Sequence, residues 1–161
     1  MALSVEWRDR VESWKQTLRS LFYRPLAFLE LEGFTTLDQL PAEKAARQPF
    51  RRMSEGTPWG EPWEYGWFRT AFTLPEEARG KRIELCLELG REGLVFVNAS
   101  AAGSINTGPM SRTMTGTRSR VTLTRSGVPG DRFEVLAEFY AGHGPTPDST
   151  GPVPHGTAPI P

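Results

Sequence analysis

The sequence predicts a mainly β protein: a β-sandwich or jelly roll with one N-terminal α-helix added. Three observations predict it. About seven short runs carry strand patterning, and turn signals separate them at intervals of 8–15 residues. The run Lys81–Leu89 puts Ile83, Leu85, Leu87 and Leu89 on one face and Glu84, Cys86 and Glu88 on the other. Such period-2 alternation buries one face of a sheet and wets the other. Helical periodicity is clear in one place only, near the N-terminus, where Trp7, Val11, Trp14, Leu18 and Leu21 form a single stripe.

Taken in order, residues 5–22 form that helix, and packing is the plain role of its two tryptophans. Ser4 gives only half a capping box, because Trp7 stands where an acid would complete it. Arg24-Pro25 ends the helix, since proline cannot continue the hydrogen-bond ladder. Leu26–Glu32 reads as a strand stopped by Gly33. Thr36–Ala46 contains Pro41 and reads as a turn followed by one or two helical turns. Gln48–Gly66 is irregular: its nineteen residues hold three prolines, three glycines, two tryptophans and a tyrosine. Long shaped loops in compact domains often carry function.

Trp67–Leu74 alternates, with Phe68, Phe72 and Leu74 one way and Arg69 and Thr73 the other. Leu94–Val97 is continuously apolar, as a strand covered on both faces would be. With Lys81–Leu89 these runs read as one antiparallel sheet laid on a core. Ala99–Ile105 then reads as a turn and a short strand. Asn106–Arg118, rich in Thr, Ser and Gly, has no period and reads as a loop. Arg120–Thr124 alternates again, and Gly127–Asp131 is a strong turn signal. Arg132–Tyr140 is the last clear strand, with Phe133, Val135, Ala137 and Phe139 on its inner face. Ala141–Pro161 holds six prolines and four glycines in 21 residues, a composition that buries little apolar surface.

At 161 residues the chain fits one domain with a tail. Lys+Arg and Asp+Glu both total 19, so no basic excess points to nucleic acid. The single cysteine, Cys86, allows neither an intrachain disulfide nor a cysteine metal cluster. No apolar run approaches the ~20 residues that span a bilayer, and the charged N-terminus does not resemble a secretory signal. A cytoplasmic location is therefore expected. The sequon Asn98-Ala99-Ser100 is then incidental.

The chain holds little that could react. Its two histidines, His143 and His155, lie in the Gly/Pro-rich end. A catalytic zinc wants about three protein ligands on a rigid frame. No Gly-x-Ser-x-Gly elbow, phosphate loop or dinucleotide fingerprint occurs. Glu84 and Glu88 alternate with leucines and read as a solvated sheet face. Glu61 and Glu64 differ, because Trp59, Trp63, Tyr65 and Trp67 surround them. Aromatic faces stack on sugar rings while carboxylates take their hydroxyls. The same tryptophans could instead plug the end of a sandwich or dock a neighbouring domain. The candidate carbohydrate-binding or docking residues are therefore Trp59, Glu61, Trp63, Tyr65 and Arg69. No catalytic residue and no metal ligand is assigned.

The run WEYGWFRTAFTLPEEARGKRIELCLELGREGLVFVN resembles the N-terminal domain of α-mannosidases of glycoside hydrolase family 38. The features that carry the resemblance are the Trp67-Phe68-Arg69 strand start, the Leu74-Pro75-Glu76-Glu77 connection with Gly80-Lys81, and the Gly90–Asn98 strand. The closing run Glu134–Gly144 is similar to the end of that domain, and galactose-binding-like jelly rolls of other glycosidases share the Phe-Arg-x-x-Phe-x-Leu-Pro pattern. The resemblance implies an accessory β-sandwich ahead of a catalytic domain, where zinc and an aspartate nucleophile cleave α-mannosides with retention. The His-x-Asp zinc motif of that domain has no match here, so no catalytic residue carries over and no cofactor is expected within this chain. Two departures stand out. Asn98-Ala99 replaces the family's usual Asn-Gly, and the loop INTGPMSRTMTGTRSR lacks acids and histidines.

The expected organisation is a helix at 1–24 packing on the sandwich, the sandwich at 25–145, and a linker at 146–161 leading to a downstream domain. The Pro/Gly-rich end suggests a piece of a longer reading frame. The implied partners are the catalytic domain of the same polypeptide, a mannose-containing saccharide, and a second copy wherever truncation bares apolar surface. Neither nucleic acid nor membrane is expected.

Overall fold

The computed structural model describes residues 5–90, 92–106 and 119–142. Their order is α1 (Val5–Leu21), β1 (Leu31–Thr36), α2 (Ala42–Ala45), β2 (Arg51–Met53), β3 (Tyr65–Thr73), a 3-10 turn (Glu76–Ala78), β4 (Ile83–Cys86), β5 (Glu92–Val97), β6 (Ser100–Asn106), β7 (Arg120–Thr124) and β8 (Arg132–Tyr140). Six strands form one antiparallel sheet in the order β2-β1-β3-β8-β5-β6, and β4 pairs with β7 in a second, two-stranded layer. The expected sandwich is thus present. His143, His155, most of the Asn106–Arg118 loop and the 146–161 linker lie outside the described residues.

The core lies between the layers. β8 contributes Phe133, Val135, Ala137 and Phe139, all buried, as its alternation requires. Ile83 and Leu85 of β4, with Leu87 and Leu89 just beyond it, are buried, while Cys86 and Glu88 are exposed. Phe68, Val95, Ile105 and Val121 complete the main cluster. At one end a second cluster gathers Leu74, Ala78, Ile83 and Phe133, with Phe72 stacked on Phe133 at 5.8 Å.

Several expectations need correction. The runs at 67–74 and 94–97 share the six-stranded sheet, but 81–89 does not. Pro75 and the 3-10 turn carry the chain out of the six-stranded layer, and Gly80 N–H bonds the Gly127 carbonyl at 2.9 Å, so β4 starts in the other layer beside β7. Alternation reports which face is buried, not which strand lies next door. The first strand runs Leu31–Thr36, later than the expected 26–32. Gly33 does not stop it. It pairs with Phe68 of β3, and a Cβ there would stand 2.9 Å from the Phe68 ring. The loop at 48–66 contains β2, which pairs Met53 with Leu31. Leu94–Val97 is only partly covered: Val95 is fully buried but Leu94 is 39% exposed.

The helix forms as expected, but its stripe does not pack on the sandwich. Trp7 and Trp14 are 56% and 65% exposed, and only Leu18 is half-buried. Helical periodicity announces an apolar face without saying what covers it. Past the helix, Tyr23 meets the guanidinium of Arg120 at 4.4 Å.

Candidate carbohydrate or docking site

The aromatic segment before β3 is a tight turn held by its own carboxylate. Glu61 N–H donates to Glu64 Oε2 at 2.9 Å, and Glu64 N–H donates to the Glu61 carbonyl at 3.1 Å. Thr35 Oγ1 donates to the other Glu64 oxygen at 3.3 Å. The turn is then pinned to the end of β8: Trp63 N–H reaches the Gly142 carbonyl at 2.6 Å, and Ala141 N–H reaches the Glu64 carbonyl at 2.9 Å. Proline at 62 fixes one dihedral, and Trp63 takes φ +73°, a conformation rare for a non-glycine residue. The two acids that sequence reading paired are thus neighbours with different duties. Glu64 organises the turn, and Glu61 extends into solvent.

Trp59 is corrected from an exposed stacking residue to a core residue. It is 6% exposed, its indole N–H donates to the Leu89 carbonyl at 2.8 Å, and its ring meets Phe68 edge-on at 5.0 Å. Trp63 is 56% exposed and presents a ring at the surface. Tyr65 lies opposite Tyr140 across β3 and β8, the rings 5.1 Å apart. Burial pushes the Tyr140 hydroxyl up, and Tyr65 and Glu92 add to the effect. Arg69 is already engaged. Its Nε donates to Glu32 Oε2 at 2.7 Å across β3 and β1, and its guanidinium lies 4.2 Å from the Phe50 ring centre. It ties the sheet edge together by a charge-assisted bond and a cation–π contact.

An open cleft of about 890 Å³ runs beside this turn, lined by Asp38, Gln48, Arg51, Glu61, Glu64 and one side of Trp59, among others. It brings two of the five candidate residues, Trp59 and Glu61, together with Glu64 and with Asp38, Gln48 and Arg51, which sequence reading did not single out. These come from three separate stretches, and only the β2-β1-β3 pairing gathers them. Tyr65 and Arg69 stand instead on the outer face of the large sheet. Among the described residues no three His, Cys, Asp or Glu side chains are grouped to hold a metal. No described helix is long and apolar enough to cross a membrane.

The outer sheet face holds a feature that the sequence did not announce. Trp67 of β3 and Glu138 of β8 are direct cross-strand partners, and Trp67 Nε1 and Glu138 Oε1 are both buried without a hydrogen-bond partner. Burial alone raises the Glu138 carboxyl above its ordinary range.

A two-layer antiparallel sandwich is the architecture of a jelly roll. Residues 25–149 match the family described as "Alpha-mannosidase, jelly roll domain", and the chain belongs to that family as an N-terminal accessory domain. Human alpha-mannosidase 2C1 is 31% identical over 53% of this chain and 10% of its own length. The mouse protein of the same name is 34% identical over 49% of this chain and 8% of its own. The chain thus spans about a tenth of the length of the curated relatives it matches. Among solved structures, a β-glucuronidase from Ruminococcus gnavus superposes with a TM-score of 0.51 at 16% identity, over 85% of this chain and 25% of that one. At that identity the likeness concerns the fold.

Proposed function

We propose that this chain is the non-catalytic N-terminal β-sandwich of a bacterial, cytoplasmic α-mannosidase of glycoside hydrolase family 38. It docks on a catalytic domain of the same polypeptide and helps shape the sugar site or the oligomer. Hydrolysis of α-mannosides, and the zinc ion that serves it, belong to that other domain. The organisation follows: a helical segment at 1–24, the sandwich at 25–145, and a linker at 146–161. The observation that carries this reading is the family match across 25–149. It is supported by the absence from the sequence of the family's His-x-Asp zinc motif. Incubating the purified chain with an aryl α-mannoside and zinc yields no hydrolysis on this reading. Turnover by the chain itself would refute it.

The cleft lined by Glu61 and Glu64, which flank the exposed Trp63 in the chain, favours a second reading, a carbohydrate-binding module for mannose-containing saccharides. Titration with such oligosaccharides, followed by tryptophan fluorescence, separates the two. A saturable shift lost in Trp63→Ala supports binding, and a flat titration leaves docking as the role.

A further inference from the structure

Two rows of side chains carry the apolar part of the outer face of the six-stranded sheet. The central row runs Phe34, Trp67, Glu138, Leu94 across β1, β3, β8 and β5. In the adjacent row Leu136 stands opposite Phe96. A sheet with one wet face would place polar side chains at these positions. Here the alternation fails: β8 sets Leu136 between its inward Val135 and Ala137, and β5 sets Leu94 and Phe96 around its inward Val95. The β4-β7 layer occupies the inner face, leaving Leu94 39% exposed and Phe96, Leu136 and Glu138 half-buried on the outer one.

The middle of this face is chemically incomplete. Trp67 lies at its floor, stacked on Phe96 at 6.5 Å, with its indole N–H unpaired. Its partner Glu138 has one oxygen wholly shielded and unbonded. The acid on the next row, Glu32, has its cation in Arg69, whereas no described cation or donor reaches Glu138. A shielded carboxylate without a partner is costly, and a donor inside an apolar ring would relieve that cost.

We propose that this outer face, centred on Glu138, is the surface on which the catalytic part of the same polypeptide docks, and that this part presents an arginine, lysine or amide donor to the Glu138 carboxylate. The inference rests on the docking role proposed above and names its surface. Two observations select the occupant. About nine-tenths of the curated relatives' length lies outside the region that matches this chain, so a large intramolecular neighbour is at hand. A second copy seated by two-fold symmetry on a face centred on Glu138 would bring two carboxylates together, which like-charge repulsion opposes.

Hydroxyl-radical footprinting of the intact polypeptide tests the surface. Leu94 and Leu136 label several-fold more slowly than their exposure in this chain implies, with Val128, 55% exposed at a turn, as the open control. Free labelling of Leu94 and Leu136 with protection of Trp7 and Trp14 overturns this surface while leaving domain docking intact. Free labelling of all four overturns both. Variants test the donor. Glu138→Lys replaces the acceptor with a cation, leaves the incoming donor unpaired and restores labelling at Leu94. Glu138→Gln keeps an acceptor and leaves Leu94 protected. Continued protection of Leu94 in a folded Glu138→Lys protein overturns the donor at Glu138.

Discussion

Gly66 lies beneath the indole of Trp59: a Cβ built on it would stand 2.5 Å from Trp59 Cζ3 and 2.8 Å from Phe68 Cε2. The backbone of β3 comes that close because the Trp59 ring enters the core edge-on, held by its bond to the Leu89 carbonyl. Even one methyl group therefore has no room. Gly66→Ala is expected to cost about 1–3 kcal/mol, the usual penalty for overpacking a tight core. Trp59→Phe removes the donor from a buried carbonyl and leaves a void, at about 2 kcal/mol or more. Urea midpoints of the two variants against the parent chain measure both. An unchanged midpoint for Gly66→Ala means that the ring is not seated there.

The same pair shows how far the sequence could be read. Strand identity was legible wherever alternation was strict, as in 132–140, whose bounds the structure reproduces. The burial of Ile83, Leu85, Leu87 and Leu89 was legible for the same reason. Trp59 was not, because a tryptophan among glycines and prolines carries no period, and its burial depends on Gly66 seven residues on and Leu89 thirty residues on. Asp38, Gln48 and Arg51 were missed because pairing between strands, not spacing along the chain, brings them to one cleft. The continuous run 94–97 hinted at an apolar outer face, but Leu136 went unnoticed because it lies within a run that reads correctly as a one-sided strand. The second burial surface of a strand shows only once its neighbours are known.

Trp63 stands at φ +73°, where a side chain crowds the backbone and asparagine is better tolerated than a β-branched residue. Its ring is 56% exposed, and either substitution gives up the same partial burial, so the difference between them reports the backbone. Trp63→Asn is expected to melt above Trp63→Val, the two differing by about 1 kcal/mol. Thermal unfolding followed by circular dichroism ranks them. The same Asn variant bears on the saccharide reading, since it removes the ring while keeping the turn.

Cys86 is the only cysteine, so its chemistry can be followed without interference. Burial pushes its thiol up, the Glu88 carboxylate at 3.8 Å pushes it further, and Arg120 pulls the other way. Alkylation by iodoacetamide, which needs the thiolate, is expected to follow a pH profile displaced to the alkaline side of a free thiol. Glu88→Gln brings the profile back toward neutral, and Arg120→Ala displaces it further. A profile that ignores Arg120 would remove that residue from the thiol's surroundings.

Glu138 gives stability a pH dependence of a sign unusual for a carboxylate. Most acids in folded proteins gain a partner, their pKa falls, and acid destabilises the fold. Burial raises the Glu138 carboxyl instead, so the folded chain holds this proton more tightly than the unfolded chain does. Its contribution is fully present below the unfolded value and is lost as pH rises through the folded value. Glu138→Gln removes that decline. The variant is therefore expected to be more stable than the parent at pH 7. The gain stays below about 1 kcal/mol, because the side chain is half-exposed and solvent screens it. It shrinks as pH falls toward the ordinary carboxylate range. Urea unfolding of both chains at pH 7 and near pH 4.5 checks the sign. A parent more stable than the variant at pH 7 would mean that the carboxylate is paired rather than bare.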